Sequence, residues 1–323
     1  MRALVSSPEG PKLAEVARPT PGPNQVLVRV RAAPLNRADL NMLRGNAHGA
    51  VGGMGAPLGL EWAGEIAAVG DAVTGWKIGD RVMSAGGGAF ADYALGHAGL
   101  IHPIPAGMDF MQAATMPVAI QTMHDAIATH GALQPGQSIL IQGASSGVGL
   151  MGLRIAKALG AGLVIGSSTS PDKRARLAEF GADLTVDTRE FGWADKVLSA
   201  TDGKGVDVTI DQLAGPLFND TMRATRIGGR IVNVGRMAGE RAEVDFDLHS
   251  MRRITYVGVT FRTRSGREVM ELVQRARADL GAAMARGDLA LPVDSQFPLT
   301  EAATAFEKMI ANRHFGKIVL TTG

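Results

Sequence analysis

Ile139-Leu140-Ile141-Gln142-Gly143-Ala144-Ser145-Ser146-Gly147-Val148-Gly149 is the stretch that decides the fold, and an apolar run with helical spacing follows it over 150–159. Branched apolar residues close a short strand, small residues turn the chain, and a helix begins. A dinucleotide-binding fold needs small residues at this turn. They let the backbone bend tightly, approach a pyrophosphate, and lay the helix start against the strand. The three fingerprint positions hold Ala144, Ser146 and Gly149, a relaxed form of G-x-G-x-x-G, which makes Ser146 a candidate cofactor-binding residue. The amides at the helix start then face negative charge. Such a loop also suits an ordinary strand-to-helix turn, so its meaning depends on what flanks it.

Outward from this loop, strands and helices alternate. Strands are expected at 138–142, 162–166, 184–186, 206–210 and 230–234, with helices at 147–159, 171–180 and near 190–200. Strands separated by helices of this length mean βαβ units and a parallel sheet. The first third reads otherwise: 25–33 (QVLVRVRAA) alternates like a half-buried strand, 60–69 is a second apolar stretch, and Gly79-Asp80 turns into Arg81-Val82-Met83. Asp109 is expected to cap a short helix, and Pro117 to open a longer one reaching about His130. Helices at 266–286 and 300–311, the latter capped by Thr300, and a strand at 316–321 close the chain. The expectation is an α/β protein with a β-rich domain, 1–121 and 264–323, and a doubly wound parallel-sheet domain, 122–263, inserted into it. A cleft between two such domains is a common ligand site.

An NAD-specific site places an acid against the ribose 2′-hydroxyl at the end of the next strand. Here that strand end reads Gly166-Ser167-Ser168-Thr169-Ser170, then Pro171-Asp172-Lys173-Arg174. Hydroxyls followed by Lys and Arg suit a 2′-phosphate, so NADPH is the expected cofactor, with Asp172 as the one opposing charge. The formal charge of +2 over 323 residues, with scattered arginines, predicts no nucleic-acid partner. The chain has no cysteine, which removes disulfides, thiolate nucleophiles and every cysteine-based zinc site. The opening MRALVSSPEGPKLAEV lacks the apolar stretch of a signal peptide, and no run of about 18 apolar residues suggests a membrane helix. A cytoplasmic enzyme is expected.

Pro34-Leu35-Asn36-Arg37-Ala38-Asp39-Leu40, Gly59-Leu60-Glu61-Trp62-Ala63-Gly64, Trp76-Lys77-Ile78-Gly79-Asp80-Arg81-Val82, the glycine loop and Phe315-Gly316-Lys317-Ile318-Val319-Leu320 together carry a family likeness. The chain resembles the medium-chain dehydrogenase/reductase superfamily and, within it, the zinc-independent quinone oxidoreductases of the p53-inducible type. This resemblance implies a GroES-like β-rich catalytic domain plus an inserted Rossmann domain, a quinone or enone substrate, and a homodimer. Zinc members carry a cysteine near 36–38 and a His-Glu pair after Gly59. This chain has Asn36-Arg37-Ala38 and Leu60-Glu61, so no metal site is expected. His97 with His102, and His124 with His130, read as structural or exposed.

By the same resemblance, Asn36 lies near the nicotinamide ribose and Thr122 contacts the cofactor. Gly147 and Val148 meet the pyrophosphate, and Ser168 with Lys173 the 2′-phosphate. Leu213, Val234 and Gly235 follow later strands at the ligand edge, Phe261 and Arg262 close over the nicotinamide, and Lys317 joins the cofactor-binding set. Read without the family, Asn36 is a helix cap for 37–44. Quinone reductases of this type often carry tyrosines where Asn41 and Ala47 stand. The glycine-rich 46–57 loop instead offers His48, which could hydrogen-bond a substrate oxygen or donate a proton. Hydride transfer without a Lewis acid requires an acceptor that delocalises the added charge, as quinones and α,β-unsaturated carbonyls do. An enoyl-thioester or other specialised alkene reductase is the close alternative. A non-catalytic nucleotide-binding protein, crystallin-like or RNA-binding, is the alternative from another class.

Overall fold

In the computed structural model, which describes residues 1–323, the Ser138–Ile141 strand lies inside a six-stranded sheet. The order is Leu184–Val186, Leu163–Ser167, Ser138–Ile141, Val206–Asp211, Thr225–Asn233, Thr255–Gly258, and every neighbouring pair is parallel. Counted from Ser138–Ile141 as the first strand this is 3-2-1-4-5-6, the doubly wound Rossmann order, with its switch point beside the glycine loop. A parallel sheet is covered on both faces, which is why Ile139, Leu140 and Ile141 are all fully buried. Leu140, Ile165, Val186, Trp193, Val197 and Val206 form part of the core on one side.

The Gly147–Ala158 helix buries Leu150, Met151, Leu153, Ile155 and Ala156. Ser146 caps it, its hydroxyl accepting the Gly149 N–H at 3.0 Å, a contact worth about 1 kcal/mol. The stretch expected as one helix from Pro117 is an α-helix over Pro117–His124 that widens into a π-helix over Asp125–His130. Residues 171–180 break into an α-helix, Pro171–Ala175, and a 3-10 turn, Leu177–Phe180, which ends at left-handed Gly181. The edge strand Thr255–Gly258 and the helices Phe218–Ala224 and Phe246–Arg252 have no counterpart in the sequence reading.

A seven-stranded sheet forms the β-rich part. Val293–Pro298, Lys317–Thr321, Gln25–Pro34, Glu61–Val69, Arg81–Ala85 and His102–Pro103 lie side by side, and Tyr93–His97 also pairs with Gln25–Pro34. Val26, Val28 and Val30 point into a core that includes Leu35, Met42, Leu58, Trp62, Phe90 and Phe306, whereas Arg29 is exposed. The two central strands approach so closely at Gly64 that a Cβ there would stand 2.1 Å from the Arg29 carbonyl oxygen. Thr300 does not cap the last helix: it sits in a 3-10 turn, Leu299–Glu301, and Ala302–Ile310 starts from Glu301 without a side-chain cap.

By its internal contacts the chain forms two units: Met1–Val118, Phe261–Arg275 and Met284–Gly323 in one, Ala119–Thr260 and Ala276–Ala283 in the other. No helix is long and apolar enough to cross a membrane.

Candidate active site

At the carboxyl ends of the parallel strands, small residues are required by close packing. A Cβ on Gly149 would stand 2.5 Å from the Gly143 carbonyl oxygen, and one on Gly235 2.7 Å from that of Gln212. Gly143 takes a left-handed φ of 67° to make the turn. Gln212, which the sequence reading missed, ties the loop to the neighbouring strand: its Nε2 donates to the Gln142 carbonyl at 2.8 Å, and its Oε1 lies 3.2 Å from Ser146 Oγ. Asp211 accepts the N–H groups of Leu213 and Ala214 at 2.8 Å each, and Val234 N–H reaches the Asp211 carbonyl at 2.7 Å. Burial pushes the Asp211 carboxyl upward, opposed by those two amides. Ser146, Gly147, Val148, Leu213, Val234 and Gly235 are thus gathered at the ligand edge of one sheet. Thr122 is half-buried on the Pro117–His124 helix. A glycine-lined turn at the switch point, leading into a 12-residue helix, fits a dinucleotide pyrophosphate.

Beside this loop, Ser168 Oγ donates to Ser145 Oγ at 3.0 Å, and the Ser168 carbonyl accepts Arg174 Nη1 at 2.7 Å. Arg174 also meets Asp187 Oδ2 at 3.0 Å, and Arg189 clasps the same carboxylate while touching the Thr169 carbonyl. Hydrogen bonding from Arg189 is the main reason that Asp187 is held down at about 2, and both arginine charges add to it. Lys173 is half-buried one residue before Arg174. The corner therefore keeps positive charge in excess even with Asp187 in its wall. The sequence reading found Ser168 and Lys173 but not Asp187 or Arg189. Their signal is an Asp-x-Arg just past Leu184–Val186, the strand adjacent to Leu163–Ser167.

In the β-rich unit, Asn36, Glu61 and Lys317 interlock. Antiparallel pairing of Pro34 with Val319 brings Asn36 beside Lys317, and Leu35 N–H donates to the Ile318 carbonyl at 2.9 Å. Lys317 Nζ donates to Glu61 Oε1 at 2.6 Å and to Asn36 Oδ1 at 2.7 Å. Asn36 Nδ2 donates to Glu61 Oε1 at 2.9 Å, and Val118 N–H to Glu61 Oε2 at 2.8 Å. Relative exposure is 0% for Glu61, 4% for Lys317 and 7% for Asn36. The side chain of Asn36 is thus engaged here rather than capping a helix. The short Asp39–Met42 helix begins at Ala38 without a side-chain cap. Lys317 is an interior group rather than an open arm, so its ammonium serves Glu61 and Asn36.

His48 belongs to a hairpin, Ala47–His48 with Val51–Gly52, whose Gly49 turn packs on the Arg262 backbone. Burial, and secondarily the Arg262 charge, hold the His48 imidazole below its usual range. At neutral pH it is a neutral ring rather than a cationic acid. The Arg264 guanidinium stands 5.6 Å from the ring centre of half-buried Phe261. His124 is buried and paired with Asp279 at 2.7 Å, and His97 Nδ1 accepts the Gly99 N–H at 3.1 Å. Nowhere do three His, Asp or Glu side chains converge as a metal would need.

A Rossmann sheet with a small-residue loop at its switch point, and a β-rich unit built from both ends of the chain, define a two-domain dinucleotide-binding architecture. Residues 22–106 match the alcohol dehydrogenase GroES-like domain, and residues 147–275 match the zinc-binding dehydrogenase family. The chain is 34% identical to a quinone oxidoreductase of Pseudomonas aeruginosa, covering 98% of this chain and 97% of the relative. It is 32% identical to a phenolphthiocerol/phthiocerol polyketide synthase of Mycobacterium tuberculosis, covering 95% of this chain but spanning only 14% of that much longer protein. The crystal structure of CurK enoyl reductase superposes with a TM-score of 0.86 at 26% identity, covering 100% of this chain and 99% of the other. The chain belongs to the medium-chain dehydrogenase/reductase superfamily.

Proposed function

We propose that the protein is an NADPH-dependent reductase that transfers hydride to a quinone or another α,β-unsaturated carbonyl without zinc. The Asn36–Glu61–Lys317 cluster carries this reading. Asn36 stands where the resemblance places a metal ligand of zinc members, and Glu61 already holds the Lys317 ammonium group at 2.6 Å. A chain without cysteine has little with which to displace that ammonium by a soft divalent metal.

When bound, the reduced nicotinamide supplies a hydride, and the acceptor must take it without Lewis-acid help. Conjugated carbonyls do so because the added charge moves onto oxygen. The protein's part is then placement, hydrogen bonding to that oxygen and control of water. Ser146, Gly147 and Val148 hold the pyrophosphate at the helix start, with Leu213, Val234 and Gly235 along the same edge and Thr122 as a further contact. Ser168 and Lys173, backed by Arg174 and Arg189, receive the 2′-phosphate, since cations near hydroxyls favour a dianion there. Phe261 and Arg262 flank the nicotinamide end. Neutral His48 offers a ring N–H to the acceptor oxygen, and solvent supplies the proton.

Reduction of an enoyl thioester is the second reading, supported by the likeness to an enoyl reductase and to a segment of a polyketide synthase. The test is anaerobic NADPH oxidation against quinones, enones and enoyl thioesters, with product identification. Hydroquinone or a saturated ketone as the main product supports the first reading. Preferential saturation of thioesters replaces it with the second, and no NADPH oxidation with any acceptor defeats both.

A cytoplasmic homodimer completes the proposal. Thr255–Gly258 is an edge strand, and Tyr256 on it, like Phe246 and Met251 nearby in sequence, is exposed. Exposed apolar edges invite a second copy. Light scattering that gives one chain's mass at micromolar concentration would remove that part.

A further inference from the structure

We infer that Glu61 and Lys317 are positioning residues that lock the Asn36 amide in one orientation, so that the group Asn36 offers a ligand is an N–H donor. The inference rests on the proposed reading that Asn36 faces the bound cofactor or acceptor. An asparagine side chain has two N–H donors on Nδ2 and two lone pairs on Oδ1, and its two ends look alike in shape. Here the neighbours distinguish them. A carboxylate only accepts and an ammonium only donates, so Nδ2 must face Glu61, at 2.9 Å, and Oδ1 must face Lys317, at 2.7 Å. Turning the amide by half a revolution would set oxygen against carboxylate and N–H against ammonium, with almost no water to screen either clash.

The rest of the cluster is committed. Glu61 Oε1 takes both Asn36 and Lys317, and Oε2 takes the Val118 N–H. The backbone of Asn36 is pinned as well, its N–H donating to Asp39 Oδ2 at 2.6 Å. Glu61 is wholly buried and Lys317 nearly so, which leaves the second Nδ2–H as the donor this cluster can present. Its partner is an oxygen that accepts: a ribose hydroxyl of the cofactor, or the acceptor carbonyl as charge develops on it.

Four proteins test this: wild type, Asn36→Ala, Lys317→Met, and the double variant Glu61→Gln with Lys317→Met. The double variant removes both buried charges at nearly constant volume, so it keeps the fold if the single lysine variant does not. The side-chain amide signals of Asn36 in a ¹⁵N-correlated NMR spectrum are assigned by their loss in Asn36→Ala. In wild type they should be slow to exchange with solvent, and in the double variant that protection should disappear. A contact to the ribose predicts that the dissociation constant for NADPH, read from nucleotide fluorescence, rises roughly tenfold in the double variant, about one lost hydrogen bond. A contact to the acceptor predicts an unchanged dissociation constant and a roughly tenfold fall in kcat. Rapid exchange of the Asn36 amide in wild type overturns the inference. So does a folded double variant with a protected amide and both constants within about twofold of wild type. If Asn36→Ala itself leaves both constants unchanged, the placement of Asn36 in the site fails first, and the inference with it.

Discussion

Asp39 Oδ2 accepts the backbone N–H of Asn36 at 2.6 Å, while its other oxygen, Oδ1, is buried without a hydrogen-bond partner. Desolvation therefore dominates, and Asp39 is pushed up to about 7 from an ordinary 3.8; the Asn36 amide and Lys317 pull it down, and Glu61 adds to the rise. The folded state thus holds a proton that the unfolded chain releases at much lower pH. Stability from this group is fully present below about 3.8 and is lost as pH rises through about 7. Asp39→Asn keeps a neutral group and an acceptor oxygen at every pH. Its stability relative to wild type should grow between pH 4 and pH 7, by at most about 1.4 kcal/mol per pH unit. Urea unfolding at several pH values measures this, and a constant difference would contradict it.

Removing the cation from the buried pair is the harsher change. Lys317→Met leaves the Glu61 carboxylate in the interior without its ammonium and should cost about 3–5 kcal/mol. Adding Glu61→Gln to that variant should return most of the loss. Denaturant unfolding of the two proteins checks this, and equal destabilisation by both would mean that charge is not the cause.

At the other end of the proposed cofactor site, Lys173→Ala should raise the Michaelis constant for NADPH roughly tenfold and leave that for NADH nearly unchanged, the loss expected for one charge-assisted contact to phosphate. Steady-state kinetics with both nucleotides decides, and equal effects would place the 2′-phosphate elsewhere.

Gly149→Val tests the turn itself. The new Cβ would stand 2.5 Å from the Gly143 carbonyl oxygen and 2.6 Å from Ala144 Cα, so the loop must move. We expect a folded protein whose NADPH affinity falls at least about tenfold, with a stability loss of about 1–3 kcal/mol. Circular dichroism and nucleotide fluorescence together measure it, and retained affinity would count against the loop as the pyrophosphate site.

Much of this was legible in the sequence because local chemistry and tertiary structure agree there. The loop at 143–149, the alternation of strands with helices, and the Asp109 cap, whose Oδ1 accepts the Gln112 N–H at 2.7 Å, are short-range features. What escaped depends on distant partners. Thr300 looks like a cap, yet the chain tightens into a 3-10 turn and the helix starts without one. Lys317 entered the cofactor-binding set only through the family resemblance, and its buried ties to Asn36 and Glu61 arise from sheet pairing with residues some 260 to 280 positions earlier. Arg189 becomes visible only when adjacent strand ends are brought together, since its partner Asp187 lies in the corner formed with Ser168 and Thr169. His48 has an ordinary sequence context, and the burial and Arg262 charge that hold its imidazole below the usual range come from the fold.

The most direct test of metal-free hydride transfer is NADPH oxidation by protein stripped of divalent ions with a strong chelator, assayed anaerobically with a quinone before and after zinc is returned. Turnover should be the same in untreated, stripped and zinc-supplied protein, with one equivalent of quinone reduced per NADPH consumed. Activity that vanishes on stripping and returns with zinc would contradict the account.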